Sequence, residues 1–439
     1  MENIAEIIVS FQQKLLQTEG ITRNFFQELL SNSLSKPIKV ITGFRRSGKS
    51  TLVTLLGKKL VEENKYLLSN VLYLNFENIK LNDYSSLSGL QDIYKSFITI
   101  VAKQGSKLLI LDEIQLVPDW EKFVRSIYES EKDINIIITG SNSDLLSGEL
   151  SSKLAGRTIE YMLMPFNFKE YLLFQNIEIT TKKDLWEARD KIEIEFNKYL
   201  VEGGLPETLL IPTFTAKKSY LDGIMKKVIL DDIVKRFQVR NIDLLEELLK
   251  YTFSTIGNLF SPTRVAERIK AIKSIPLNPN LIIEFMGYFQ KTFSVFELNK
   301  LDWKQSKVFD SKRKYYGIDT GLIEILSSER GTMTSKRLEN IVFLHLRSEE
   351  KPLYFASDDL GKEIDFVIER EKSIFDKYQV TETLTHDNIE RELGNLLLAG
   401  TYLQKGKKYI VCQGPTKQLE YKGQKIEQVN IVEFLLDLV

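Results

Sequence analysis

Gly43-Phe44-Arg45-Arg46-Ser47-Gly48-Lys49-Ser50 sets two glycines, a lysine and a serine at the spacing that cradles the phosphates of a nucleoside triphosphate. The glycines allow a tight turn whose backbone N–H groups reach phosphate oxygens. Lys49 can place a positive charge on the outer phosphates, and Ser50 can offer its hydroxyl to the accompanying magnesium ion. Residues Gly43 through Thr51 form the candidate ATP-binding set. Downstream, Asp112 and Glu113 close an apolar run, "KLLILDE". Asp112 suits a second magnesium position, and Glu113 suits a base or water-orienting group for attack on the terminal phosphate. Ser50 and Asp112 are therefore the metal candidates, and Glu113 with Lys49 the catalytic ones.

These residues need particular elements to hold them. "IKVIT", residues 38–42, is β-branched and apolar, as a buried parallel strand should be. The stretch from Lys49 repeats leucine at helical spacing through Leu52, Leu55, Leu56 and Leu60, so a helix aims its positive end at the phosphates. Further strands are predicted at 71–76, within 107–117 where the run ends in Asp112 and Glu113, within 134–146, and at 158–163. Because 71–76 falls between the two motifs, those motifs belong to non-consecutive strands. Five strands with interleaved helices predict an α/β fold, a doubly wound parallel sheet of the P-loop type. Asn142, with Ser141 as the alternative, stands just past the fourth strand. Arg157, in "LAGR", could reach a nucleotide, its own chain's or a neighbouring subunit's, as an arginine finger, with Arg125 as a rival.

At 439 residues the chain has room for about three domains. Its formal net charge is zero, so no global field draws it to nucleic acid. One cysteine, Cys412, excludes a disulfide within the chain, and two histidines beside it leave little for a structural zinc site. No apolar run approaches the ~20 residues that span a bilayer. The N-terminal "MENIAEIIVSFQQKLLQ" carries acids where a secretory leader carries lysines, and reads as an amphipathic helix on the first domain. A cytoplasmic protein without a membrane partner is expected.

The remaining chain reads as three further parts. Residues 1–164 make the ATPase core with its N-terminal helix. Residues 165–240 make a helical lid, broken by Gly203, Gly204 and Pro206. Residues 241–329 show three helices followed by two strands, the order of a winged helix. Across 261–315 eleven Lys or Arg face five Asp or Glu, which suits DNA phosphates, yet the third helix is apolar and has no arginine to read bases. Residues 330–439 form an α+β domain: a helix with Glu339, a strand with Asp365, and another strand at 377–384. That order resembles PD-(D/E)XK nucleases, but Gln379-Val380-Thr381 stands where acid-x-Lys is required, so nuclease activity is not expected.

"ITGFRRSGKSTL", "LLILDEIQLVPDWEKFVRSIYE", "IIITGSNSDLL", "LAGR", "YLVEGGLPE", "YYGIDTGL", "LENIVFLHLR" and "EIDFVI" together resemble a family of bacterial and archaeal AAA+-type ATPases with a C-terminal domain of unknown function. The resemblance implies ATP and Mg2+ as ligands, with roles for Lys49, Ser50, Asp112 and Glu113, and a polar sensor of the terminal phosphate at Asn142. It also implies the winged helix and the nuclease-like tail. The expected function is an ATPase that turns hydrolysis into conformational change, with DNA as a candidate target and homo-oligomers as a candidate assembly. A nucleotide-switched signalling or defence protein with slow turnover is the alternative.

Overall fold

Strand-forming residues precede the glycine turn, and a leucine-spaced helix follows it, in the computed structural model. It describes residues 4–141, 154, 156–273, 277–301, 312–327, 333–358, 361–398, 403 and 405–438. The chain divides into two compact units: residues 1–164 with 291–293, and residues 165–290 with 294–439. Among the described residues no helix is long and apolar enough to cross a membrane.

The first unit is built on five strands: β1 (Ile38–Thr42), β2 (Val71–Asn75), β3 (Lys107–Asp112), β4 (Ile134–Gly140) and β5 (Thr158–Met162). All pair in parallel, in the order β2-β3-β4-β1-β5. The run Leu108–Leu111 and the run Ile136–Ile138 are buried throughout, which explains why these strands are continuously apolar rather than alternating. β4 lies between β1 and β3, so the two motif strands are not neighbours. Their carboxyl ends still open on one edge, where ligands of open α/β sheets sit. The N-terminal helix Ile4–Gln17 buries Ile7, Ile8, Phe11 and Leu15, with Phe11 edge-on to Tyr73 at 5.8 Å.

The second unit begins with helices. Helix Phe168–Phe174 has a capping box between Asn167 and Glu170. Helix Arg189–Glu202 stops at Gly203, whose φ of 80° is readily adopted only by glycine. Asp319 explains the stop. Its Oδ2 accepts the Gly204 N–H at 2.7 Å, and its Oδ1 accepts the Gly321 N–H at 2.8 Å, capping helix Thr320–Leu326. A side chain on Gly203 would place its Cβ 1.9 Å from the same carboxylate. "EGGLP" and "GIDTG" are thus two halves of one buried joint. Burial pushes the Asp319 carboxyl up to about 6, against the lowering pull of those N–H groups. Asp319→Asn is expected to turn an amide N–H toward one of the two backbone donors and to cost about 1–3 kcal/mol in denaturant unfolding. Unaltered stability in that variant would show that the joint contributes nothing.

Helices Ile242–Ser254, Pro262–Lys273 and Pro279–Lys291 then lead into an antiparallel hairpin, β6 (Val295–Asn299) and β7 (Arg313–Gly317). Much of the basic segment expected to join these strands, residues 302–311, lies outside the described residues. Helix Met333–Arg347 precedes a mixed six-stranded sheet. Its strands are β8 (Leu353–Ser357), β9 (Glu363–Glu371), β10 (Ile374–Val380), β11 (Lys408–Cys412), β12 (Lys417–Tyr421) and β13 (Gln424–Asn430), in the order β12-β13-β11-β10-β9-β8. The sequence places a strand at 377–384, whereas β10 starts at Ile374 and ends at Val380. It begins early because β9 and β10 form a tight hairpin, with Ser373 in the left-handed region at φ 65°.

Candidate active site

β1 is wholly buried and ends directly at the glycine turn. Gly43 must be glycine for a steric reason: a Cβ there would lie 2.2 Å from the Leu163 carbonyl oxygen. Gly48 has φ 98° and sits at the N-cap of helix Lys49–Glu62, so the chain reverses and presents the helix start to the loop. Phe44 is fully buried and anchors the turn. The hydroxyls of Thr42 and Ser47 are buried with no hydrogen-bond partner among the described residues. Buried orphan hydroxyls inside a glycine cradle suit a loop that closes on an oxygen-rich ligand.

Lys49 is 3% exposed, and its Nζ lies 3.2 Å from the Gly43 carbonyl oxygen, 3.3 Å from that of Phe44 and 3.3 Å from Glu113 Oε1. The ammonium therefore spans the mouth of the loop and meets the end of β3. The Ser50 side chain stands near enough to the Asp112 carboxylate to favour its ionised form, so the two sequence motifs come together. Asp112 is fully buried. Its Oδ1 accepts from the Thr139 hydroxyl at 2.5 Å, and its Oδ2 accepts from the Asn75 amide at 2.7 Å and the Tyr73 hydroxyl at 3.3 Å. Burial, and next the Glu113 charge, push its carboxyl up to about 6, while Thr139, Ser50 and Lys49 pull it down. A carboxylate held by this many donors and still destabilised by burial is suited to share its charge with a cation.

Glu113 adopts φ 55° immediately after the strand, which turns its side chain back toward Lys49. Its N–H donates to Thr139 Oγ1 at 2.9 Å, and its Oε2 accepts from the Gln115 amide at 2.5 Å. Burial opposes its ionisation, yet Lys49, Gln115 and Arg45 together hold its carboxyl below the usual carboxylate range. Arg45 pairs with Glu77 at 2.9 Å. Arg46, at φ 68°, and Thr51 face outward on the same turn.

The structure thus brings together Gly43 to Thr51, Asp112 and Glu113. Asn142 lies outside the described residues; Ser141, beside it, has its hydroxyl 3.5 Å from the Gln115 amide. Arg157 lies elsewhere. Its carbonyl accepts the Ile38 N–H at the start of β1, so it sits at the opposite end of that strand from the loop, roughly 13 Å of strand away. Its guanidinium pairs with Glu129 at 3.1 Å. Arg125 pairs with the same carboxylate. Neither arginine is placed to reach a triphosphate on its own chain's loop.

Five residues at the site escaped the sequence reading. Arg23, 6% exposed, donates to the Ser47 carbonyl at 3.2 Å and the Met164 carbonyl at 2.7 Å, bracing the loop from behind. A lone arginine between two helices carries no signal of this. Tyr73, Asn75 and Thr139 were legible in principle, as polar residues facing the acid on strands that flank β3. Gln115 was hidden in the apolar run after Glu113.

A family model for an AAA domain matches residues 35–172, and one for a domain of unknown function (DUF8612) matches residues 193–332. An uncharacterized protein of Haemophilus influenzae is 29% identical over 415 residues, covering 94% of this chain and 98% of its own length. An uncharacterized protein of Methanocaldococcus jannaschii is 31% identical over 396 residues, covering 88% and 83%. Among solved structures, the Walker-type ATPase of Pyrococcus abyssi covers 71% of this chain and 99% of its own, with TM-score 0.39 and 16% identity. The Orc1 protein of Aeropyrum pernix, solved in complex with DNA, covers 71% and 94%, with TM-score 0.32 and 12% identity.

Proposed function

The chain belongs to the same family as the uncharacterized Methanocaldococcus jannaschii protein, and from that premise and its AAA-domain match we propose that it binds ATP with Mg2+ and hydrolyses it to drive conformational change. One observation carries the reading: at the end of β3 the loop lysine lies 3.3 Å from Glu113, and the Ser50 side chain stands beside the buried Asp112 carboxylate. In this reading the loop N–H groups and Lys49 hold the β- and γ-phosphates, and Glu113 accepts a proton from the attacking water. Ser50 and Asp112 would hold the metal, and the buried Asp112 carboxylate, set among donors beside the Ser50 hydroxyl, fits such an ion. When bound, magnesium neutralises charge on the phosphate oxygens. Thr139, Asn75 and Tyr73 orient Asp112, and Gln115 orients Glu113. An arginine finger role for Arg157 would require a neighbouring copy of the chain.

The direct test is phosphate release from ATP by the full chain with magnesium and with EDTA, with turnover expected only in the first. The affinity for magnesium–nucleotide should also depend on pH. Asp112 must be ionised to hold the metal, and its carboxyl is pushed up to about 6. Below that pH a proton competes with the cation, so affinity should fall by up to about tenfold per pH unit. Above it, affinity should level. The slope should disappear in EDTA; a flat profile from pH 5 to 8 would remove Asp112 from the metal site.

The second reading, a nucleotide switch with slow turnover, is favoured by the Lys49–Glu113 ion pair and the Gln115 contact, which engage the base in this conformation. A nucleotide-driven change in particle size without appreciable phosphate release would select it.

The lid, a winged helix at 241–329 and a nuclease-like tail at 330–439 are part of the same proposal. DNA is the partner that the basic stretch 261–315 suits, through phosphates rather than bases, since helix Pro279–Lys291 buries Ile282, Phe285, Met286 and Phe289. Filter binding should then show a steep log–log loss of affinity with salt and little sequence preference. Equal retention at all salt levels would exclude this contact.

A further inference from the structure

β7 sends Lys314 into the second unit's interior, where its side chain is 2% exposed. Its Nζ lies 2.6 Å from Glu363 Oε1 and 3.5 Å from Glu339 Oε1. The Tyr316 hydroxyl donates to Glu339 Oε1 at 2.6 Å, and the Val380 N–H donates to Asp365 Oδ2 at 2.8 Å. A cavity of about 330 Å³ opens onto Glu339, Glu363 and Asp365, lined also by Gln379, Arg391 and Glu392. Gln379 is 5% exposed, and its Oε1 has no hydrogen-bond partner among the described residues. A buried acceptor without a donor calls for an explanation, and a ligand that donates into the cavity is one.

We propose that this cavity binds a donor-rich organic cation, an alkylammonium or guanidinium group. Charge supports it. With every group ionised, Glu339, Glu363, Asp365 and Glu392 outnumber Lys362 and Arg391 in the cavity and Lys314 beneath it by one negative charge, which a bound cation would balance. Arg391 is already paired with Glu392. Burial, ahead of the neighbouring charges, raises the Glu339 and Asp365 carboxyls above the usual range, so a further cation would relieve both.

The arrangement suits an organic cation better than a metal ion. Lys314 already occupies the space between Glu339 and Glu363. Among the described residues no group of three His, Cys, Asp or Glu is placed to hold a metal. A metal needs acceptors that converge on one point, whereas an ammonium with three donors, or a guanidinium with five, can serve acceptors that do not. The Gln379 amide oxygen accepts from either without requiring a charge of its own. The volume also accommodates an amine with its carbon stem rather than a bare ion.

Calorimetric titration of the full chain, without nucleotide, tests this. The probes are agmatine and spermidine as free amines, N-acetyl-arginine amide as the mimic of a protein side chain, and manganese chloride. Saturable binding of an amine or guanidinium probe is expected. Binding of the free amines alone assigns a small-molecule source, and binding of the arginine amide as well assigns a side chain. Gln379→Leu, which changes no charge, and Asp365→Asn should each weaken binding by at least about tenfold while ATP affinity is retained. Absence of amine binding by the folded wild-type chain overturns the proposal. So does amine binding indifferent to both substitutions, or manganese binding that depends on Asp365.

Discussion

Glu113→Gln should bind ATP within a few-fold of the unaltered chain and release phosphate about 10²–10⁴-fold more slowly, the range set by loss of a positioned general base. Glutamine matches glutamate in shape, so the Gln115 contact and the turn at φ 55° can persist. What it cannot do is take a proton. The exchange also removes the charge that engages Lys49 at 3.3 Å, which frees the ammonium for phosphate and favours retained or tighter binding. Fluorescent-nucleotide titration and a phosphate-release assay on the same preparation check both halves. Turnover at the wild-type rate would mean that another group activates the water.

Lys49→Ala should lose both binding and turnover. The substitution removes the cation that meets the phosphates, and charge-assisted contacts of that kind are worth about 1.5–3 kcal/mol, roughly 10–100-fold in affinity. It also strips the donor shared by the Gly43 and Phe44 carbonyls, so the loop loses its clasp as well as its charge. Glu113 would then be left buried without its main counter-charge, a situation that can cost about 3–5 kcal/mol. The residue has an escape. Its carboxyl sits below the usual range because Lys49, Gln115 and Arg45 outweigh burial, so losing Lys49 shifts the balance toward the protonated form. A thermal melt should therefore show a modest loss, and Lys49→Met, which refills the volume, should melt closer to wild type while remaining inactive. Hydrolysis by Lys49→Ala at the unaltered rate would end the ATPase reading.

The two predictions separate what the residues do. Lys49 works on the ground state and the transition state together, so both affinity and rate fall. Glu113 works only when water attacks, so the rate falls alone. A nucleotide switch would show the same Lys49 loss but little effect of Glu113→Gln, because there would be little turnover to lose.

Legibility tracked range along the chain. The loop Gly43–Ser50 could be read at once because its function needs backbone freedom at fixed intervals, and glycine records that freedom locally. Asp112 and Glu113 could be read because they end an apolar strand. Arg157 stood out through its short motif, yet only the fold shows that it lies at the start of β1, a full strand length from its own chain's loop. Arg23 left no trace, since its two carbonyl partners are 24 and 141 residues away. The joint at Asp319 was half visible: the break at Gly203 and Gly204 could be seen, but not that the Asp319 carboxylate reaches it while capping helix Thr320–Leu326.

By itself the chain's order of residues determined the sheet's class, the loop and the pair of acids, because each is written in neighbours a few positions apart. Only the tertiary structure decided that Ser50 meets Asp112, that Lys49 rests on Glu113, and that Lys314 neutralises acids on other elements. Burial and Coulomb forces act through space, and a carboxylate's state depends on which distant donors the fold brings to it.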